Sequence, residues 1–81
     1  MTPWRDHIHS DPAIMGGKPV VRDTRITVEF LLNLLAGGWD ERKIIAEYPF
    51  LKFEHVRAAA AFAAEMVDEE RHVAIARAKA A

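Results

Sequence analysis

The spacing of apolar residues divides the chain into two parts that meet at Thr27. In the first part, β-branched residues occur in short runs that are interrupted by prolines and by the pair Gly16-Gly17. This pattern predicts two short strands, near residues 7–9 and 20–22, with a glycine loop between them. The first part is therefore expected to form a β-hairpin arm.

From Thr27 onward the apolar residues follow the 3.6-residue period of a helix. Thr27 is a favourable N-cap for the first helix, and Gly37-Gly38 are expected to end it. A second short helix is expected between its N-cap Asp40 and the helix-breaking Pro49. The third helix begins near Lys52, and no proline or glycine follows it in the sequence. Three helices are therefore predicted, and the third is long.

The predicted fold class is mainly α, with a short N-terminal β-hairpin arm followed by a helix-turn-helix-like trihelical unit with a long C-terminal helix. A chain of 81 residues is too short for two packed domains, so it is interpreted as one domain. The arm covers residues 1–26, the trihelical unit residues 27–66, and a C-terminal helical extension residues 67–81. A domain of this size buries only about 60% of its unfolded surface and often gains stability from a partner.

The composition shows which part of the chain builds the core. Although 51% of the residues are hydrophobic, 14 of them are alanine, and 11 of these alanines lie in residues 57–81. The larger apolar residues are concentrated in the first 56 positions, so the core must be built mainly from that part. The alanine-rich segment is strongly helical, and its small residues suit close packing on the first two helices and also close contact with a second copy in a homodimer. Its few larger apolar residues are predicted to bind a partner: Phe62, Met66, Val67, Val73 and Ile75.

Several classes of function are excluded or disfavoured. The absence of cysteine excludes disulfides, zinc–thiolate sites and thiol nucleophiles. No apolar run approaches the roughly 20 residues of a membrane-spanning helix, and the first ten residues do not form a signal peptide, so a cytoplasmic location is expected. Ser10 is the only serine and has no evident acid and base around it, so no enzyme is expected. No cofactor, metal or small-molecule substrate is predicted; His7, His9 and Asp11 alternate on one strand face, but a metal site there lacks an obvious fourth ligand.

Residues 11–26, with the sequence DPAIMGGKPVVRDTRI, resemble the signature of the domain of unknown function family 433 (DUF433). The resemblance continues through an apolar helix that ends at glycine (31–38), the tripeptide Glu47-Tyr48-Pro49 and a helix that starts with Leu-x-x-Glu at 51–54. In total it covers about residues 8–65. It implies a homeodomain-like helix-turn-helix protein of bacteria or archaea. Many members of the family look like antitoxins encoded beside a PIN-like ribonuclease toxin.

Three positions depart from the family pattern. Asp23 replaces a glycine, but aspartate tolerates a left-handed backbone better than most residues. Thr27 replaces a common proline and serves as an N-cap instead. Lys52 replaces a Ser or Thr cap, which removes a side-chain acceptor typically worth about 1 kcal/mol and leaves a cation at the positive end of the helix dipole. That lysine is favourable only if a phosphate lies nearby.

Binding to DNA is one function that the resemblance allows. The candidate contacts are basic residues of the arm and polar residues at the start of the third helix: Lys18, Arg22, Arg25, Lys52, His55 and Arg57. On the third helix, Val56 and Ala60 are expected to face the core, and Ala58 is expected to face outward. The net charge of −1 gives no support to strong non-specific binding, and the third helix offers few side chains that read bases. Solvated charges on a strand edge are the alternative interpretation of the arm.

The predicted function is therefore that of an antitoxin-like protein, which binds and neutralises a PIN-like ribonuclease by covering its active cleft with the C-terminal helix. Repression of its own operon through DNA binding is a second expected activity. The alternatives are a stand-alone helix-turn-helix DNA-binding regulator and a homodimeric adaptor that does not bind DNA.

Overall fold

A computed structural model describes residues 3–80 of the chain, and the side chains of residues 3–68. The predicted architecture is confirmed: a two-stranded antiparallel hairpin precedes three helices. In chain order the elements are an N-terminal 3-10 turn at Trp4–Asp6, β1 at Ile8–His9, a second 3-10 turn at Met15–Gly17, β2 at Val20–Val21, α1 at Val28–Ala36, α2 at Glu41–Glu47 and α3 at Phe53–Ala80.

The hairpin has a defined register and leads directly into α1. Ile8 pairs with Val21 in the antiparallel ladder. After β2 the chain turns through Asp23, whose φ of 65° lies in the left-handed region, so aspartate does adopt the conformation that glycine would favour. The Val21 N–H then donates to the Ile26 carbonyl at 2.8 Å, which places Thr27 beside β2 at the start of α1.

The predicted caps of α1 and α2 are present. Thr27 Oγ1 accepts the Phe30 N–H at 3.0 Å, and the Asp40 side chain accepts the Lys43 N–H at 2.9 Å. At the end of α1, Gly38 has a φ of 95°, and the Trp39 N–H returns to the Leu34 carbonyl at 3.0 Å. This is the Schellman arrangement, and it turns the chain sharply into α2.

The core lies where the hairpin and the three helices meet. Its buried apolar residues are Ile8, Val20, Val21, Val28, Leu31, Ile44, Leu51, Val56, Ala58 and Ala59. The expected inward position of Val56 is confirmed, but the expectation for its neighbours was wrong, because Ala58 is buried and Ala60 is exposed. The reason is that the N-terminal turn and β1 also pack on α3, so the buried side of α3 is turned toward Ala58 and Phe62 and away from Ala60.

The third helix extends far beyond this core. With 28 residues it is about 42 Å long at 1.5 Å per residue. Its buried residues end at Ala59 among the described side chains, and Met66 and Val67 are exposed. No helix within the described residues 3–80 is long and apolar enough to cross a membrane.

Candidate functional site

The three basic residues of the hairpin do not form one free cationic surface. Lys18 Nζ lies 3.2 Å from a Glu29 carboxylate oxygen, in an ion pair between largely exposed side chains. The Arg22 guanidinium donates to the carbonyls of Asp6 at 3.3 Å and Arg5 at 3.1 Å, and so holds the N-terminal turn against β2. Arg25 is exposed. Of the three predicted phosphate contacts, therefore, two have partners within the chain.

The start of α3 is also occupied by contacts within the chain. His55 Nδ1 accepts the backbone N–H of Lys52 at 3.0 Å, and Arg57 Nε lies 3.3 Å from a Glu41 carboxylate oxygen at the start of α2. His55 is the third residue of α3 and takes the place of the glutamate in a capping box, so the departure at Lys52 is partly compensated by another acceptor. Lys52 is exposed. Its side chain is therefore available to a ligand, whereas His55 is committed to the helix start.

The imidazole of His55 also faces the hairpin. The rings of His7 and His55 lie edge to face, with centroids 5.4 Å apart. Partial burial lowers the pKa of His55 below its ordinary value, charge on His7 and Lys52 lowers it further, and Glu54 acts in the opposite direction. The neutral imidazole is thus favoured, which is the form whose Nδ1 can accept a hydrogen bond.

The alternating His7, His9 and Asp11 are not gathered at one point. His7 contacts His55, while His9 Nε2 is buried and has no hydrogen-bond partner within the described part of the chain. Asp11 Oδ1 accepts the Ala13 N–H at 2.9 Å in a local turn. Within the described part of the chain, no three His, Asp or Glu side chains are placed to hold a metal ion.

The predicted partner-binding residues of α3 fall into three groups. Phe62 is half-buried because it packs edge to face on Trp4, with ring centroids 4.9 Å apart. Met66 and Val67 are 43% and 55% exposed, respectively. Val73 and Ile75 lie outside the residues whose side chains the structure describes.

One contact that the sequence does not predict joins the N-terminal turn to α3. The Trp4 indole N–H donates to Glu65, and Arg5 both pairs with Glu65 at 3.2 Å and lies over the Trp4 ring at 4.2 Å. The hydrogen bond from Trp4 and then that from Arg5 hold the pKa of Glu65 below its usual range. The only signal in the sequence was a tryptophan beside an arginine ahead of the first strand, and this gives no indication of its partner 61 residues away.

The cleft that the described side chains form beside α1 offers little room for a small molecule. This shallow cleft has a volume of about 200 Å³, below the roughly 300–1,000 Å³ typical of ligand pockets. It is lined by Met15, Lys18, Thr27, Glu29, Phe30 and Asn33. Of the large apolar side chains exposed on the described surface, Phe50, Phe53, Met66 and Val67 lie outside this cleft.

Comparison with known proteins identifies the family. The model of the DUF433 family, described as a protein of unknown function, matches residues 8–63, and the chain therefore belongs to that family. A crystal structure of a DUF433 member protein from Anabaena variabilis is similar with a TM-score of 0.71 and 30% identity, over 89% of this chain and 70% of the other.

A second similar protein is the uncharacterised protein y4eO of Sinorhizobium fredii, with 36% identity over 59 residues. The match covers 73% of this chain and only 27% of that relative. This chain thus corresponds to about a quarter of the length of the curated relative that it matches.

Proposed function

We propose that this chain is a protein-binding module that acts as an antitoxin, with α3 as the binding element and a PIN-like ribonuclease as the partner. The observation that supports this most directly is the position of Met66. Val56, Ala59, Ala63 and Met66 follow one another at helical spacing on the core-facing side of α3. The first two are buried and the third is half-buried, but Met66 is 43% exposed.

The core-facing side of α3 therefore continues past the point where this chain covers it. Complete burial of a methionine side chain contributes about 1.5–3 kcal/mol, so covering the exposed part of Met66 is worth about 1 kcal/mol to a partner that fits there. By sequence, α3 also carries Arg71, Arg77 and Lys79 beyond this point. An apolar side chain followed by basic residues suits a partner that has an apolar groove beside acidic carboxylates. The active site of a PIN-like ribonuclease is acidic, so it fits this description.

The alternative, a stand-alone DNA-binding regulator, has weaker support. Lys18 and Arg57 are in ion pairs, Arg22 holds backbone carbonyls, and His55 caps α3. Exposed ion pairs are weak, so their basic side chains can exchange a carboxylate for a phosphate. Operator binding by Arg25 and Lys52, together with Lys18 and Arg57, is therefore kept as a secondary activity in the proposal. A gel-shift with the upstream DNA at two salt concentrations tests it: binding must weaken as salt rises, and a shift that does not depend on salt contradicts it.

The antitoxin proposal is tested by co-expression with the protein encoded in the neighbouring reading frame, scored by growth. The full chain is expected to relieve the growth arrest that the neighbour causes. Truncation after Glu65 keeps the contacts of Trp4 with Phe62 and Glu65 but removes Met66 and all that follows, so it is expected to fold and to fail to neutralise. If the truncated chain still suppresses toxicity, or if no neighbour encodes a PIN-like protein, the proposal is wrong.

A matched pair of point variants sharpens the test. Met66→Glu places a carboxylate in the proposed contact and is expected to abolish rescue. Phe50→Glu is the control, because Phe50 is 57% exposed and lies in the turn between α2 and α3, away from Met66 along the chain. Rescue by Met66→Glu at the parent level would contradict the assignment of the site.

A further inference from the structure

The hydrogen bond at the start of α3 requires a neutral imidazole. His55 Nδ1 accepts the Lys52 N–H at 3.0 Å, and a ring nitrogen can accept only while it carries no proton. Protonation of His55 turns this acceptor into a donor and places a second positive charge beside Lys52, at the positive end of the helix dipole. Protonation of His55 at low pH therefore destabilises the first turn of α3.

The ring that faces His55 is that of His7, in the segment that packs the N-terminal turn on α3. His7 follows the N-terminal turn directly, and its ring centroid lies 5.4 Å from that of His55. The His7 carbonyl accepts the Arg22 N–H at 2.7 Å, so its backbone is fixed by the hairpin. Because the charge of His7 opposes an imidazolium at His55, and Arg22 holds the N-terminal turn to the same hairpin, protonation of His55 acts against the packing of this whole N-terminal segment on α3.

The same turn covers part of α3. Trp4 packs on Phe62 and donates to Glu65, and Arg5 pairs with Glu65 at 3.2 Å. The described charged groups that act on His55 are His7 from the N-terminal segment and Lys52 and Glu54 from α3. Among these only Glu54 favours the protonated ring, so the local balance of charge opposes the imidazolium.

We propose that His7 and His55 form an acid-sensitive latch, which keeps Trp4 on α3 at neutral pH and releases it when His55 is protonated. Release exposes Phe62 next to Met66 on the same side of α3. The latch concerns the domain itself and does not depend on the antitoxin role, since its readouts need no partner.

The sign of the effect follows from linkage. Partial burial and the charge of His7 lower the pKa of His55 in the folded protein below its ordinary value of 6.5, which the unfolded chain recovers. The unfolded chain therefore takes up the proton more readily, and stability is complete above about pH 6.5 and declines as the pH falls toward the folded pKa. Loss of one capping interaction in a domain of this size lowers the Tm by about 4–8 °C.

The test follows the Trp4 indole N–H by NMR in the full chain, from about pH 7.5 down to about pH 5, across the ordinary histidine range. The resonance is distinguished from that of Trp39 with a Trp39→Phe variant. The expected result is a shift of the Trp4 resonance and faster exchange of its proton with solvent, with the same midpoint as the His55 ring protons. Glu65 does not contribute to this midpoint, because its pKa is held below the usual carboxylate range.

His55→Gln is the decisive variant. Glutamine at this position provides a side-chain acceptor that does not titrate, as in a capping box, so α3 keeps its first turn and the pH response of Trp4 disappears. His7→Gln removes the facing charge and is expected to raise the titration midpoint of His55. A Trp4 resonance that stays unchanged while His55 titrates in the parent, or an equal response in His55→Gln, overturns the proposal. If His55→Gln does not fold, an unchanged His55 midpoint in His7→Gln overturns it as well.

Discussion

Trp4 is the residue whose removal tests the packing of this domain most severely. It lies in a single 3-10 turn ahead of the hairpin, yet it contacts Phe62 and Glu65 near the far end of the compact part of α3. A fully buried tryptophan replaced by alanine costs about 3–5 kcal/mol. Trp4 is half-buried, so the expected cost of Trp4→Ala from packing is about 2 kcal/mol. The hydrogen bond to Glu65 adds to this loss in the same direction.

That loss is large for a protein of this size. At about 0.05–0.15 kcal/mol per residue, the free energy of unfolding of 81 residues is about 4–12 kcal/mol. A loss of about 2 kcal/mol lowers the Tm by about 8–16 °C. The assay is urea unfolding followed by far-UV circular dichroism, with Trp4→Phe as the matched control that keeps the ring contact and removes only the indole donor.

The contact itself is isolated by a double-mutant cycle between Trp4→Ala and Phe62→Ala. An edge-to-face pair of this kind gives a coupling free energy of about 0.5–1.5 kcal/mol. A change of less than about 0.5 kcal/mol in Trp4→Ala, or no coupling in the cycle, refutes the view that the N-terminal turn is part of the folded unit.

Three further predictions use the same urea assay. Thr27→Ala removes the acceptor for the Phe30 N–H and is expected to cost about 1–2 kcal/mol, whereas Thr27→Ser keeps it and should lose clearly less; equal losses contradict the cap. Gly38→Ala is expected to cost about 1–2 kcal/mol because φ is 95°, and Gly37→Ala, at φ of −79°, less; the reverse order contradicts the Schellman turn. Arg57→Ala is expected to change stability by less than about 0.5 kcal/mol because its side chain is 71% exposed, and a larger loss contradicts this view of the pair with Glu41.

The local structure could be predicted because its causes lie within a few residues of each other. Thr27 and Asp40 act on N–H groups three residues ahead, and Gly38 needs only its own left-handed conformation to end α1. The strands near residues 7–9 and 20–22 likewise follow from β-branched runs and turn residues. These signals are short in range, and a single sequence contains all of them.

The contacts between distant segments could not be predicted in the same way. Nothing near Trp4 indicates that Phe62 will lie beneath it, because that depends on how the hairpin is placed against α3. The side of α3 that is buried depends on the same placement, and this is why Ala58 is buried and Ala60 is exposed. The hydrogen bond from the Lys52 N–H to His55 Nδ1 was not predicted either, because residue type and helix position suggested only a contact to nucleic acid for His55.

The measurement that tests the central claim most directly is the affinity of the purified chain for the protein of the neighbouring reading frame, which the proposal expects to be PIN-like. It is compared between Met66→Glu and Phe50→Glu by isothermal titration calorimetry. A carboxylate forced into the contact on α3 is expected to weaken binding by at least about 10–100-fold, which corresponds to about 1.4–2.8 kcal/mol. Phe50→Glu is expected to bind like the parent. Parent-like binding by Met66→Glu, or an equal loss in both variants, would contradict the assignment of α3 as the partner-binding element.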